Sequence, residues 1–147
     1  MKKFKFSLSK LLELKEQQYK MEKETLAVLR SKKQALEDRL LSLRHSFAKC
    51  NEEYTQCSMS GITVQEIAVY KNFLAKLKQQ IEDIIAEIEL FEVKIQNQLS
   101  VVVAISQDIS TIEKLKEKQL NQYNYQLNKS EEILIEEFVN SVRLNGA

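Results

Sequence analysis

Two thiols, Cys50 and Cys57, and one imidazole, His45, are the side chains best suited to redox, nucleophilic or metal chemistry in this sequence. On a single helix, residues seven apart have Cα atoms roughly 10 Å from each other. That exceeds the span of a disulfide. The thiols therefore read as reduced, half-buried groups in a reducing compartment. No further ligand lies nearby to complete a metal set. His45 has neither a nucleophile nor a metal partner and reads as a surface group. Two isolated glycines, Gly61 and Gly146, cannot build a phosphate-cradling loop. Carboxylates are plentiful, but acid–base catalysis needs a pocket that shifts a pKa, and theirs are solvated positions. Asn128-Lys129-Ser130 matches a glycosylation sequon, which carries no meaning in a cytosolic chain. The expectation is a protein that is not an enzyme, with no catalytic residue, no metal site and no cofactor.

The elements that carry these residues follow from composition. The 147 residues suit one domain, 1–147, and include no proline, no tryptophan and only two glycines. Glycine and proline are the usual punctuation of turns, so few chain reversals are available. Abundant Lys, Glu, Gln and Leu are the composition of long helices and coiled coils.

Apolar spacing makes this specific. Steps of four and three from Leu8 give Leu8, Leu12, Lys15, Tyr19, Glu22, Leu26, Leu29, Lys33, Leu36, Leu40, Leu43, Phe47, Cys50, Tyr54 and Cys57. Twelve of these fifteen are apolar, and the phase never slips. A second track runs Ile67, Tyr70, Leu74, Leu77, Ile81, Ile84, Ile88, Phe91, Ile95, Gln98, Val102, Ile105, Ile109 and Ile112. Gln98 is the one polar member. A repeat of about 3.5 residues sustained this long implies a left-handed supercoil.

Between the tracks lies Ser58-Met59-Ser60-Gly61-Ile62-Thr63. Gly61 can adopt the left-handed conformation that ends a helix. Thr63 and Glu66 stand at capping-box spacing, with Ile62 and Ile67 at the staple positions. The heptad phase also slips here. The reading is all-α: an antiparallel two-helix coiled-coil hairpin with a longer, protruding C-terminal helix. Helix one spans about 7–57 and opens with a Phe6–Leu11 staple. The turn spans about 58–63 and helix two about 64–142. The competing arrangement, one continuous helix in a parallel dimer, would have to run through Gly61. The hairpin register places Cys57 by Thr63, Cys50 by Tyr70, Leu36 by Ile84, Glu22 by Gln98 and Leu8 by Ile112. Arg30, Lys32 and Lys33 then lie beside Glu87 and Glu89.

Helix one is roughly 75 Å long and helix two roughly 115 Å, so helix two is expected to overhang beyond about residue 112. The seam degrades there, and another stripe appears: Leu120, Tyr123, Leu127, Leu134 and Phe138. An apolar stripe without a partner in its own chain frays or binds something. This arm is therefore a candidate binding surface. Near the turn, Phe73 stands one step outside the seam and is a candidate anchor.

Net charge is +1, which does not point to nucleic acid. Residues 1–33 nevertheless carry ten Lys or Arg against four Glu, and residues 82–92 carry five acids and no base. The hairpin brings these stretches alongside each other. The opening MKKFKFSLSKLLELKE lacks a signal-peptide apolar run, and Val101–Ile105 is far too short to span a bilayer. A cytosolic protein without a transmembrane segment is expected.

Three segments carry a resemblance. They are Phe4-Lys-Phe6 followed by Leu11-Leu12-Glu-Leu14-Lys-Glu16; Gly61-Ile62 followed by Ala68, Tyr70, Phe73 and Leu77; and Ile112-Glu-Lys-Leu-Lys-Glu-Lys118 with the arm ending Glu136-Glu137-Phe138. Together they cover nearly the whole chain, which resembles the FliJ family of flagellar type III export proteins. The resemblance implies a coiled-coil stalk that inserts into the hexameric ring of the export ATPase FliI and favours its assembly. It also implies contact with the export gate protein FlhA, with FliH and with export chaperones, and a peripheral place at the inner face of the membrane at the flagellar base. Family gate-binding positions match Phe73 and Leu77, and also Tyr54. The ring contact maps to the joined ends, residues 4–20 and 105–138, which contain Leu120, Tyr123 and Leu127 and reach into the Leu134–Phe138 arm.

Two other classes compete with this reading. One is an escort-like or tethering coiled coil that holds many clients. The other is a binder of lipid surfaces or nucleic acid using Phe4 and Phe6 with Lys2, Lys3 and Lys5. The basic stretch has an acidic partner within the hairpin, which weighs against the second.

Overall fold

The computed structural model describes residues 2–146. Helix α1 spans Ser9–Ser60 and α2 spans Val64–Gly146, and no strand occurs among the described residues. The fold is all-α, two helices packed against each other. Among the described residues, only 2–8 and the turn Gly61–Thr63 are non-helical.

The turn is built as local chemistry dictates. Gly61 has φ of +86° and its missing Cβ would meet nothing within 4 Å. Its requirement is therefore purely one of backbone conformation. Thr63 Oγ1 accepts from the Glu66 amide at 3.2 Å, and the Thr63 carbonyl accepts from the Ile67 amide at 3.1 Å. That is an N-cap for α2, and Glu66 adds a carboxylate to the positive end of the helix dipole. At the end of α1, Ser60 Oγ donates to the Gln56 carbonyl at 3.2 Å. Helix α1 thus runs three residues past Cys57 and stops only where glycine permits the reversal. Helix α2 runs on to Gly146, past the expected 142, because no proline interrupts it and Arg143 suits its negative end.

Contacts group the chain into two compact units. One comprises Glu22–Val101 and contains the turn. Every position of both heptad tracks within it is buried or half-buried, with Leu26, Cys50, Leu77, Ile84 and Ile88 most enclosed. No described side chain in the protein is fully buried, because each helix covers only one side of the other. The unit contains one polar layer. Gln98 Nε2 donates to the Glu22 backbone carbonyl at 3.0 Å and also to the Glu22 carboxylate. Charge pairing differs from expectation: Lys33 reaches Glu92 at 3.5 Å and Glu37 at 3.6 Å, rather than Glu87 or Glu89. Lys33 occupies a seam position, so its stem stays on the apolar seam while the ammonium emerges at the edge. The carboxylate at that edge is Glu92.

The other unit comprises the chain up to Met21 and from Val102 onward. Leu12, Val102, Ile105 and Ile112 are buried in it. Lys15 leaves its seam position as Lys33 does, and meets Asp108 at 3.1 Å. The expected Phe6–Leu11 staple is absent. Phe6 is buried with Leu12 and Ile112, flanked by Phe4, Leu8 and Ile109, whereas Leu11 is exposed. The chain enters α1 through a turn in which the Ser9 amide donates to the Phe6 carbonyl at 3.2 Å. That turn directs the Phe6 ring onto α2.

Replacing Gly61 with Ala should destabilise the protein by about 1 kcal/mol, the cost of a Cβ in left-handed backbone. Urea unfolding followed by circular dichroism measures it, and Gly61→Asn should cost less. By the same measurement Ile84→Ala, at a site only 5% exposed, should cost about 2–4 kcal/mol.

Candidate partner-binding surfaces

The side chains that sequence reading grouped near the turn separate into three environments. Leu77 is 6% exposed and belongs to the seam. It cannot touch a partner while the helices are paired. Tyr54 is half-buried, its ring 5.6 Å from that of Tyr70 and tilted by 51°. Phe73 is 51% exposed. It borders a shallow cleft with Lys49, Cys50, Glu53, Val69 and Tyr70. Val69 lies one turn before Phe73 and is also exposed, so the two form an accessible apolar pair beside this cleft. That i,i+4 spacing was present in the sequence, but Val69 stands outside the seam and escaped the heptad count.

Tyr70 is the hub of this region. Its hydroxyl shares a hydrogen bond of 3.6 Å with Cys57 Sγ. This bond, with the charge a Cys57 thiolate would carry, pushes the Tyr70 hydroxyl above its ordinary 10.0. Cys57 is thus held by Tyr70 across the seam, although heptad register alone placed it by Thr63. The Tyr70 ring is long enough to reach the next layer. Both cysteines are free thiols.

The stripe on the C-terminal part of α2 also divides. Tyr123 is half-buried: its ring lies 5.6 Å from that of Phe4, and its hydroxyl donates to the Lys2 carbonyl at 2.5 Å. The non-helical opening segment therefore follows α2 past Ile112 to Tyr123. The seam partner ends near Ile112, as the heptad count gave, but cover by the chain itself does not. Heptad counting begins at Leu8 and could not see it. Its sequence signal was the alternation of Phe4 and Phe6, two rings on one side of an extended strand. Leu120 is at the margin of exposure, and Leu127 is half-buried. From residue 131 to 146 every position is exposed, including Leu134 at 62% and Phe138 at 70%.

Among the described residues no three His, Cys, Asp or Glu side chains converge as a metal site, and no helix is long and apolar enough to cross a membrane. Exposed apolar side chains recur along both helices, and those around Val69–Phe73 and along residues 127–142 include the exposed rings of Phe73 and Phe138.

Because the Tyr70 proton is held by its hydrogen bond, the pair's contribution to stability is present below pH 10 and is lost as pH rises through the shifted value. Ultraviolet difference titration should show one tyrosine ionising late, and Cys57→Ala should return it to the ordinary range. Phe4→Ala should loosen the opening segment, raising amide exchange at residues 2–8 while that of residues 62–101 stays unchanged.

A protein-family model described as flagellar FliJ protein matches residues 4–144 of the chain. No curated protein and no solved structure matches it.

Proposed function

The chain belongs to the FliJ family, non-catalytic components of flagellar protein export, and on that footing we propose that it is the stalk of the export ATPase. In this reading it binds the FliI ring, promotes ring assembly and links the ring to the export gate protein FlhA. The observation that carries it is the exposure of two phenylalanines, Phe73 near the turn and Phe138 near the end of α2, each among exposed aliphatic neighbours. An adaptor needs two separate seats and no chemistry between them. Contacts with FliH and export chaperones belong to the same reading. So does a cytoplasmic location, with the protein held by its partners at the inner face of the membrane.

The residue roles are assigned by exposure. Phe73 is the gate-side anchor, and Tyr54 supports it through Tyr70. Leu77 holds the helices together beneath them. Leu134 and Phe138 are the ring-side anchors, continued by Leu127 and Leu120. Tyr123 positions the opening segment against the arm. Partner anchors are typically aromatic or large apolar groups that become enclosed on binding.

The test is an ATPase assay of purified FliI with and without the chain. The full chain should stimulate turnover. A chain ending at Ser130 should keep its helical signal and lose that stimulation. Survival of full stimulation in the shortened chain would remove the arm from the ring contact. Phe73→Ala should weaken binding to FlhA by about tenfold or more, the effect of losing one buried aromatic anchor, with unchanged melting. Leu77→Ala should instead lower the melting temperature.

A further inference from the structure

We infer that the α2 face formed by Leu127, Leu134, Ile135, Phe138, Val139 and Val142 seats in an apolar groove rimmed by lysine and arginine on a partner protein. The inference rests on the reading of this arm as a partner contact and adds the chemistry of the seat.

At about 100° per residue, these six positions share one broad arc of the helix. Leu134, Ile135, Phe138 and Val142 are each more than half exposed. Such an arc is the form in which an amphipathic helix lies in a groove. Its borders are mainly acidic: Glu132 and Glu136 flank the Val139 edge with Arg143 between them, and Glu137 flanks the Leu134 edge. Glu131 lies inside the arc, between Leu127 and Leu134. Over residues 131–146 four glutamates face a single arginine, Arg143. The ion pairs Lys15–Asp108, Lys33–Glu37 and Lys33–Glu92 involve none of these glutamates. Lys129, the nearest lysine, lies over the Tyr125 ring at 5.8 Å.

The charge pattern selects the occupant. A second copy of the arm would bring like-charged rims together, which disfavours association. An anionic membrane would repel the same rims. Any bilayer would also have to take in Glu131 at the centre of the apolar arc, and burying an unpaired carboxylate is strongly unfavourable. A protein groove with cationic rims covers the apolar side chains and supplies partners to Glu131, Glu132, Glu136 and Glu137 together.

The experiment uses the full chain and two variants, E132Q/E136Q/E137Q and L134Q/F138Q, against purified FliI at low and high salt. Glutamine keeps helix propensity close to that of glutamate, and circular dichroism checks the fold. The charge variant should bind about tenfold more weakly at low salt, mostly through a slower association rate, and with a flattened salt dependence. The apolar variant should dissociate faster. If the charge variant binds within twofold of the parent while the apolar variant is weakened, the basic groove is refuted and the ring contact stands. If neither variant nor the chain ending at Ser130 changes binding, the ring contact itself fails, and the inference with it. Arm-dependent self-association in sedimentation equilibrium, or arm-dependent binding to phosphatidylserine vesicles, would also overturn it.

Discussion

The apolar stripe of α1 has one partner, α2, and that of α2 is covered by α1 and, at Ile112 and Tyr123, by the opening segment. With no proline and almost no glycine, the chain has no means to fold into layers, so a single seam must supply its core. That seam exists only if the chain reverses once and in the right phase. The reversal depends on Gly61, whose backbone lies in the left-handed region, and on Thr63, whose hydroxyl accepts the Glu66 amide in the first turn of α2. Register then follows from the apolar repeat, since a shift of one residue would turn the stripe toward water.

A two-helix seam is thin, and the thinness has consequences. None of the described side chains is wholly enclosed, so each layer contributes less than a globular core position would. Polar residues in the seam are tolerable because water or an edge carboxylate is always near. Lys15 and Lys33 use this by running their stems along the seam and meeting Asp108 and Glu92 outside it. Glu22 and Gln98 use it differently, sharing one layer through hydrogen bonds. Such a layer stabilises little but penalises misalignment, because any other register would leave both groups unpaired among apolar neighbours.

The same thinness leaves apolar side chains on the outside of both helices, Val28 and Leu41 on α1 and Leu90 and Val93 on α2 among them. Apolar groups that face away from the seam are free to be enclosed by another protein. Membership of the FliJ family makes the chain a component of flagellar protein export.

Much of this was legible in the sequence. Every member of both heptad tracks is buried or half-buried in the structure, because a stripe of about 3.5-residue period has one geometric solution once the turn is known. The turn was legible too, since its glycine and capping threonine act on immediate neighbours. Heptad phase also separated Leu77, in the seam, from Phe73, one step outside it and in reach of solvent. Tertiary structure alone decided what covers the start of the C-terminal stripe. Tyr123 reads as part of an open stripe until the opening segment is seen lying on it. That segment is non-helical and too short for a repeat to emerge. The alternation of Phe4 and Phe6 marks the two rings, but the residues they meet lie more than a hundred positions away, and local pattern does not say where on α2 they settle.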